Sequence, residues 1–457
     1  MDPLDVSGLG MPGALTPMKL DPQGGDPLID RLFPPLASGV DWGLERMESF
    51  LAATGNPHVG YPIVHVGGTN GKGSVASTLS SALMRAGHRV GLYTSPHLCS
   101  FTERYQLNGV PVDQSVLVEL ADDLKGEIVK HGLTFFEAAT AMAFHLFARR
   151  DIDVVVLEVG LGGRLDATTV ASPILTAVTN VALDHAEYLG STLPEIAREK
   201  AGIVKPGVPF VTAEGDAGLV ELFRGICHRA GAPFQALDPA ADLAELEVME
   251  DHTLFRMDTG WGTLELWTPL VGSHQAVNAA LAVRILERLP ESLRPDREAV
   301  VEGIRSVRWP GRSQIEHIGG QTWLFDVAHN TAGVLALAEV MERLSLPRPI
   351  VMLTGVLGDK DWHSMLPPLF RMADRAILTQ PPSAPEDRRW DPDQAMRASG
   401  SACLMEVEAE FGVAVERARI AAEGGTVVVT GSNHTVGDTL GLLGLIPFEV
   451  PSAAPRR

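Results

Sequence analysis

The sequence has few of the features that disulfides, structural zinc sites and membrane spans require. Its 457 residues contain three isolated cysteines, Cys99, Cys227 and Cys403, with no C-x-x-C pair, which fits a reducing compartment without structural zinc. No run approaches the ~18 apolar residues of a membrane span. The segment 1–27 lacks a basic stretch leading into an apolar core, so it is typical of a loose Pro/Gly-rich tail and not of a signal peptide. We therefore expect a cytoplasmic protein.

Positive charge is also scarce. The chain has 37 Lys and Arg against 57 Asp and Glu, a net charge of −20, and no long basic run offsets it. This balance argues against a general nucleic-acid binder or a protein that binds anionic membranes. An anionic substrate would have to be met by a local cluster of Lys, Arg, metal ions and helix N-termini.

The remaining composition is that of a globular protein, with 45% hydrophobic and 21% charged residues. The length exceeds that of a single hydrophobic core, so two domains are expected. Strand and helix patterns alternate from about residue 60, and the runs "DVVVLEVG" and "PILTAVTNV" are typical of parallel strands buried on both faces. The alternating runs around "DTGWGT" predict antiparallel hairpins appended to the main sheet.

A Pro-Gly break in "VRWPGRSQ", residues 307–314, indicates a domain boundary. A second strand–helix series follows, with strand candidates "TWLFDVAHN", "PIVMLTGVL", "RAILTQ" and "TVVVTGSN". We predict an α/β protein in which a mostly parallel, P-loop-type domain over 28–308 precedes a smaller Rossmann-like α/β domain over 309–457.

The stretch "PIVHVGGTNGKGSVASTL", residues 62–79, reads as strand, glycine-rich turn and helix. The pattern G-x-x-x-x-G-K-[ST] fails on it, because Val66 and Gly73 stand where glycine and a hydroxyl residue are required. All physical parts of a phosphate cradle are nevertheless present. The glycines have no Cβ to keep a phosphate away from the backbone N–H groups, and Lys72 supplies a cation. The Ser74 hydroxyl at the helix start can reach Mg²⁺. The alternative is a tight turn with an exposed lysine.

The loop "HVGGTNGKGS" closely resembles the ATP loop of the folylpolyglutamate synthase/dihydrofolate synthase family, of the bacterial bifunctional type, within the Mur ligase group. The likeness continues in order over roughly residues 40–438, through "DWGLERM", "YTSPHL", "FTERYQLNG", "TFFEAATAMAF", "LEVGLGGRLDATT", "LDHAEYLG", "REKAGIVKPG", "WPGR", "DVAHN", "GVLGDKD" and "GSNHTV". Many ordered matches form a stronger signal than any single motif.

The resemblance implies an ATP-dependent ligase. The acceptor carboxylate takes the γ-phosphoryl group of ATP as an acyl phosphate, and the amine of L-glutamate then attacks it. Dihydropteroate, reduced folates or both would be the acceptors. The resemblance also implies that Mg²⁺ is required, that a monovalent cation can bind as well, and that the protein is a monomer. Two alternatives remain: a Mur-type ligase acting on a UDP-linked peptidoglycan precursor, and a nucleotide-binding switch without ligase activity.

By resemblance, the larger domain binds ATP and the smaller one is the glutamate-ligase domain. The implied nucleotide contacts are Asn70, Gly71, Lys72, Gly73, Ser74, Asn278, Arg312 and Asp326. The implied metal ligands are Ser74, Glu158, His185 and Lys200. Glu158 also has an independent argument, because a carboxylate at the carboxyl end of a buried strand lies where open α/β sheets place ligands; otherwise it caps the next turn. The assignment of His185 as a metal ligand rests on the family pattern alone, since Mg²⁺ prefers oxygen ligands.

Lys200 resembles the family lysine that is carbamylated, a change that converts a cation into a carboxylate-like anion able to hold a metal. A surface lysine at a helix end is the plainer interpretation. Arg312 lies in the predicted hinge, where an arginine can clamp phosphate once the domains close. The implied catalytic residues are Lys72, Lys200, Asp326 and His329. His329 is the candidate base near the incoming amine, because an ammonium group cannot attack.

The pterin end of the acceptor is implied to contact a covering loop and a pocket. The residues concerned are Asp41, Trp42, Gly43, Thr134, Phe136 and Asp166. An aromatic face can stack on the pterin and a carboxylate can pair with its amidine-like edge. Phe136 lies in an apolar helix, where a plain core role is an equal alternative.

Overall fold

The structure is a computed structural model that describes residues 27–33, 43–399 and 403–448. The predicted substrate residues Asp41 and Trp42 lie outside the described residues, as do residues 1–26 of the predicted tail. Residue 27, which we assigned to the tail, instead begins the first helix, because Pro27 is well suited to a first helical turn.

The first sheet has eight strands in the order β4-β3-β2-β5-β1-β6-β7-β8. They are β1 Ile63–Gly67, β2 Val90–Tyr93, β3 Tyr105–Leu107, β4 Val110–Pro111, β5 Val154–Glu158, β6 Leu175–Val178, β7 Phe210–Thr212 and β8 Phe234–Ala236. All neighbours pair in parallel except β2–β3 and β3–β4. The central strands are buried along their whole length, which explains their continuous β-branched runs.

Eleven helices accompany this part of the described chain. They are α1 Pro27–Leu32, α2 Glu45–Ala53, α3 Lys72–Arg85, α4 Gln114–His131, α5 Phe135–Ala148, α6 Ala186–Leu189, α7 Leu193–Lys200, α8 Ala217–Ala230, α9 Pro239–Asp242, α10 Ser273–Glu287 and α11 Arg297–Arg305. Helix α3 follows the glycine-rich turn and packs between the sheet and helices α10 and α11. The close approach of α11 depends on Gly303, where a Cβ would lie 2.3 Å from Ala82 Cα.

The hairpins around "DTGWGT" are antiparallel, as predicted. Their attachment to the main sheet was predicted wrongly, because β9 Ala244–Val248, β10 Thr253–Thr259 and β11 Gly262–Thr268 form a separate three-stranded sheet. Alternate residues such as Phe255 and Leu264 are buried in the same core as α10. The hairpin therefore covers a helix with its apolar face instead of extending a sheet edge.

The third sheet has the order β12-β13-β17-β14-β15-β16 and is parallel except for β12. Its strands are β12 Gln314–Ile318, β13 Gln321–Phe325, β14 Ile350–Thr354, β15 Arg375–Leu378, β16 Leu404–Val407 and β17 Thr426–Thr430. Its helices are α12 Thr331–Leu344, α13 Trp362–Phe370, α14 Pro392–Ala398, α15 Phe411–Ala421 and α16 Asn433–Leu442. The predicted α/β class, with a large mostly parallel sheet followed by a smaller α/β unit, is confirmed.

The segment between α11 and β12 includes the "WPGR" stretch and joins the two large sheets. It agrees with the predicted break, although the domain limits at 28, 308 and 309 stay predictions. None of the helices in the described residues is long and apolar enough to cross a membrane.

Candidate functional site

A cleft of about 470 Å³ lies where the carboxyl ends of the two parallel sheets face each other. It brings together every predicted nucleotide, metal and catalytic residue. These are Asn70, Gly71, Lys72, Gly73, Ser74, Glu158, His185, Lys200, Asn278, Arg312, Asp326 and His329. Their convergence from positions more than 250 residues apart follows from topology, because parallel strands deliver the loops after them to one edge of a sheet.

The glycines of the phosphate loop are required by close neighbours. Gly71, with φ of 81°, caps α3, and a Cβ there would lie 2.4 Å from Asn278 Oδ1. A Cβ at Gly73 would lie 2.4 Å from Cζ2 of Trp309, which belongs to the segment between the sheets. A side chain at either position would therefore displace the loop or its neighbour.

A cation, Lys72, and a carboxylate, Glu158, lie beside the phosphate loop. The Lys72 ammonium donates to the Thr69 carbonyl at 3.1 Å. Glu158, at the end of β5, is buried and accepts a hydrogen bond from Ser95 N at 3.1 Å. Burial raises the pKa of Glu158, while the charges of Lys72 and Arg312 oppose the rise. The carboxylate is thus placed among cations in a water-poor part of the cleft.

The oxygens of Ser74 and Glu158 fit a magnesium ion. The Ser74 hydroxyl is buried and has no hydrogen-bond partner among the described residues. No group of three or more His, Cys, Asp and Glu side chains in the described part of the chain could hold a metal alone. This donor set suits Mg²⁺, which keeps several waters and is bound by one or two protein oxygens plus substrate phosphates.

Lys200 is not the exposed lysine of the plainer interpretation. Its side chain is buried, and its Nζ donates to the Gly68 carbonyl at 2.9 Å. Burial, with the nearby charge of Lys72, lowers the pKa of Lys200 to about 7. A substantial fraction of this amine is therefore uncharged near neutral pH, which is the nucleophilic form.

His185 lies in the cleft with a left-handed backbone, φ 50°, immediately before α6. Its Nε2 is 3.3 Å from the Lys360 ammonium. Burial and the Lys360 charge lower the pKa of His185 to about 4, so the ring is neutral and can accept from a cation or ligate a metal.

Asp184 is the centre of a polar network that joins the two sides of the cleft, and the sequence patterns did not single it out. Its carboxylate accepts from Lys360 Nζ at 2.8 Å and Asn330 Nδ2 at 3.0 Å, and it lies 3.6 Å from His329 Nε2. Burial opposes its charge, but the neighbouring His329 ring and the Lys360 charge hold the pKa of Asp184 well below its usual range.

Asn70 extends this network from the phosphate loop. Its side-chain amide exchanges two hydrogen bonds with Asn330, at 2.9 and 3.3 Å. Lys360, Asn330 and Ser95 were also missed as site residues. The only available signal was that they stand in or beside motifs already recognised, "GVLGDKD", "DVAHN" and "YTSPHL".

Asp326 and Arg312 face each other across the start of the second α/β unit. Asp326 accepts from Ser313 N and Oγ at 2.8 and 3.0 Å and from Ala328 N at 2.8 Å, so its carboxylate is fixed. Arg312 is partly buried, and burial lowers its pKa, while Asp326 and Glu158 favour the charged form. The guanidinium group lies 6.0 Å from the ring centroid of Trp309.

Four of the predicted pterin-binding residues are described, Gly43, Thr134, Phe136 and Asp166, and they lie outside the lining of this cleft. Thr134 caps α5 in a reciprocal capping box with Glu137. The carboxylate of Glu137 also forms a bidentate ion pair with Arg46, at 3.0 and 3.2 Å. Gly43, with φ of 148°, begins the described segment leading into α2.

Phe136 and Asp166 hold the loop that follows β5. A Cβ at Gly160, which lines the cleft, would lie 2.2 Å from Phe136 Cζ, so the ring packs directly on this loop. Asp166 is buried and accepts from Leu161 N at 2.8 Å and Thr168 N at 3.0 Å. Both residues therefore shape the wall behind Glu158, and a direct pterin contact stays a prediction.

Comparison with known proteins identifies the group to which this architecture belongs. Residues 66–286 match the Mur ligase middle domain, and residues 311–433 match the Mur ligase glutamate ligase domain. The dihydrofolate synthase/folylpolyglutamate synthase of Bacillus subtilis is 37% identical over 341 residues, which is 72% of this chain and 79% of that protein. The chain belongs to the folylpolyglutamate synthase/dihydrofolate synthase family.

Solved structures of this family share the whole fold. Mycobacterium tuberculosis folylpolyglutamate synthase complexed with ADP is 29% identical with a TM-score of 0.83, over 91% of this chain and 97% of that one. Escherichia coli FolC in complex with DHPP and ADP is 32% identical with a TM-score of 0.80, over 92% and 99%. The two-domain architecture of the family is therefore also that of this chain.

Proposed function

We propose that this protein is an ATP-dependent ligase that adds L-glutamate to dihydropteroate and to reduced folates through an acyl-phosphate intermediate. The observation that carries the proposal is the cleft in which Lys72 and Glu158 from the first sheet meet Arg312 and Asp326 from the second. Support also comes from relatives that are named for both glutamate additions and from a relative solved with DHPP and ADP.

The phosphate loop supplies the positive surroundings that a triphosphate requires. The N-terminus of α3 presents backbone N–H groups, Lys72 adds a point charge, and Arg312 adds a planar donor from the opposite side. Phosphoryl transfer depends on positioning and on charge stabilisation, so a cation on each side of the cleft suits the reaction. Ser74 and Glu158 would hold Mg²⁺, which when bound neutralises phosphate charge. The proposal also includes a monovalent cation next to this Mg²⁺ ion.

The Asp184 network is suited to receive the amino acid. The Asp184 carboxylate can accept hydrogen bonds from an amine and the His329 ring can accept a proton, while the Lys360 ammonium can pair with a carboxylate. The Nδ1 atom of His329 contacts the Val327 carbonyl at 2.9 Å, which orients Nε2 towards Asp184. We propose that His329 accepts the proton that glutamate must lose before its nitrogen attacks.

Carbamylation of Lys200 is part of this proposal. Its lowered pKa makes the amine nucleophilic towards CO₂, and the product would bring a carboxylate into a region where Lys72 contributes positive charge. The bond from Lys200 Nζ to Gly68 O holds the amine beside the phosphate loop.

The test is phosphate release from ATP by the purified protein with Mg²⁺ and glutamate, comparing dihydropteroate with tetrahydrofolate. We expect release that depends on at least one acceptor and falls by about a hundredfold or more in Lys72→Ala, since a group that stabilises phosphoryl charge contributes several kcal/mol. Lys130→Ala is the matched control, because this lysine is 64% exposed on α4 and lies outside the cleft.

Two results would contradict the proposal. Phosphate release that ignores both acceptors and glutamate indicates a nucleotide-binding switch. Release that requires a different carboxylate acceptor, such as a UDP-linked precursor, indicates a Mur-type ligase of another specificity.

A further inference from the structure

His274 is a polar side chain of the cleft that the proposed phosphoryl chemistry does not use. It lies in the first turn of α10 and lines the cleft, as Asn278 does one helical turn further along. Its Nδ1 atom is buried and has no hydrogen-bond partner among the described residues. This edge of the ring rests on Gly272, where a Cβ would lie 2.6 Å from Cε1 and 2.8 Å from Nδ1. Nε2 is therefore the ring nitrogen that is left to serve a molecule in the cleft.

The His274 ring is uncharged near neutral pH. Burial lowers the pKa of His274, and the carboxylates of Asp326 and Glu339 oppose this shift without cancelling it. A neutral imidazole carries one N–H donor and one acceptor nitrogen. Nε2 is the nitrogen that a partner can reach, so a proton on Nε2 avoids a buried N–H group without an acceptor. The ring can thus donate one hydrogen bond into the cleft without adding charge there.

Helix α10 sets the position of His274 along the cleft. Asn278, four residues further along the same face of the helix, touches the phosphate loop, since a Cβ at Gly71 would lie 2.4 Å from its Oδ1. Side chains four residues apart on a helix are separated by one turn, about 5–6 Å. His274 therefore lies about one turn from the loop that would hold the phosphates. That separation is comparable to the step from the phosphates of a nucleotide to its sugar.

The charges around His274 favour a neutral, hydroxyl-bearing group over a further phosphate. The two charges that act most strongly on the ring are those of Asp326 and Glu339, and both are negative. Asp326 also lines the cleft. Its Oδ2 accepts from Ser313 N and Oγ and its Oδ1 from Ala328 N, which leaves Oδ1 able to accept once more. A vicinal diol suits this surrounding, because its hydroxyl groups can donate to a carboxylate and accept from an imidazole N–H.

We propose that Nε2 of His274 donates a hydrogen bond to a hydroxyl group of the ribose of ATP. This inference rests on the proposed function. With the triphosphate at residues 71–74, the sugar lies between the first turn of α10 and Asp326, and the phosphates stay away from the two carboxylates. His274 is therefore a substrate-binding residue that makes the protein favour ribonucleotides over deoxyribonucleotides. It takes no part in the transfer of the phosphoryl group.

The experiment measures KM and kcat for ATP, 2′-deoxy-ATP, 3′-deoxy-ATP and inosine triphosphate at saturating acceptor and glutamate. It compares the unmodified protein with His274→Leu, which lacks the donor, and with His274→Gln, which retains an amide N–H. We expect His274→Leu to raise KM for ATP about three- to tenfold with kcat changed less than about twofold, as for one neutral hydrogen bond made equally before and during the reaction. His274→Gln should recover part of the loss.

The deoxynucleotides identify the group that the ring contacts. For the analogue that lacks the contacted hydroxyl, the unmodified protein should already have a raised KM, and His274→Leu should change it less than about twofold. Inosine triphosphate keeps the ribose, so His274→Leu should raise its KM as much as that of ATP.

His228→Leu is the matched control, because this histidine is exposed on α8 and lies outside the cleft, so all four KM values should stay unchanged. Equal rises in KM for ATP and both deoxynucleotides in His274→Leu would overturn the inference, since the ring would then not contact the sugar. A loss with ATP but not with inosine triphosphate would also overturn it, because it indicates a contact with the base. Should His274→Leu fail to fold, the unmodified protein still decides, because equal KM values for ATP and both deoxynucleotides contradict a ribose contact.

Failure of the inference can be distinguished from failure of the proposed function. Calorimetric titration with ADP and its two deoxy analogues requires neither an acceptor nor turnover. If no acceptor is turned over but His274→Leu binds ADP more weakly and one deoxy analogue equally well, only the proposed function fails. If turnover is normal but the variant binds ADP as tightly as the unmodified protein, only the His274 inference fails.

Discussion

Individual residues of the phosphate cradle were recognisable because their chemistry is local. A glycine-rich turn between a strand and a helix needs no partner to be noticed, and Lys72, Ser74 and Glu158 all follow from it or from the end of a buried strand. Asp184 and Lys360 could not be found in this way. Their role depends on a 2.8 Å contact between positions 176 residues apart, and no local sequence pattern predicts such a contact.

Asp438 on α16 provides a pH-dependent test at the same scale. Its Oδ2 accepts from Ser383 N and Oγ at 3.1 and 3.0 Å, and burial raises its pKa to about 6. The folded protein therefore holds this proton more tightly than the unfolded chain. The resulting stabilisation is complete below about pH 4 and is lost as the pH rises through about 6.

We expect Asp438→Asn to gain stability relative to the unmodified protein on going from about pH 4 to about pH 7.5, by at most about 3 kcal/mol for a shift of about two pKa units. Urea denaturation at the two pH values measures the difference. Asp122→Asn, on the exposed face of α4, serves as the control. The same stability difference at both pH values would show that Asp438 is not the titrating group.

At the level of elements, long buried strands were predicted well and short or edge strands were not. Runs such as "VVVLE" are apolar along their whole length because both faces of the parallel sheet are covered. Strand β4 has two residues and β16 is an edge strand, so their patterns are too short or too mixed to identify. The hairpin strands around "DTGWGT" were correctly predicted to be antiparallel but wrongly predicted to join the main sheet, because the element against which a hairpin packs depends on tertiary packing.

The packing of α3 against α11 can be tested through Gly303. A Cβ there would lie 2.3 Å from Ala82 Cα, which is backbone and cannot rotate away. We expect Gly303→Ala to destabilise the protein by about 1–3 kcal/mol, as overpacking typically does. The comparison is Gly126→Ala in α4, where a Cβ would meet nothing within 4 Å and should be neutral or stabilising by up to about 1 kcal/mol. Equal unfolding midpoints for the two variants would contradict close packing at Gly303.

For the whole molecule, the sequence indicated two α/β units and a break between them, but not how the units meet. Polar contacts between the units include Asp184 with Lys360 and Asn70 with Asn330, and Leu98 and Cys99 of the first unit pack against the core of the second. The cytoplasmic location and the monomeric state predicted from the sequence stay predictions.

The contact between the two units predicts the behaviour of Lys360→Met. This change leaves Asp184 buried without its ammonium partner, which should lower stability by about 2 kcal/mol or more. Thermal unfolding without nucleotide should show the loss, and Asp184→Asn combined with Lys360→Met should recover part of it. If the double variant is no more stable than Lys360→Met, the ion pair does not hold the units together. Arg343→Met, on the exposed side of α12, is the control.

Trp309 has a practical consequence for anyone dividing this enzyme into fragments. The indole comes from the segment after α11 yet rests on Gly73 of the phosphate loop, so it is structurally a part of the first half. A cut after residue 308 would remove the Trp309 indole from the phosphate loop and leave it exposed on the carboxyl-terminal fragment. A cut made beyond the tryptophan would leave the indole on the amino-terminal fragment, where it can still pack on Gly73.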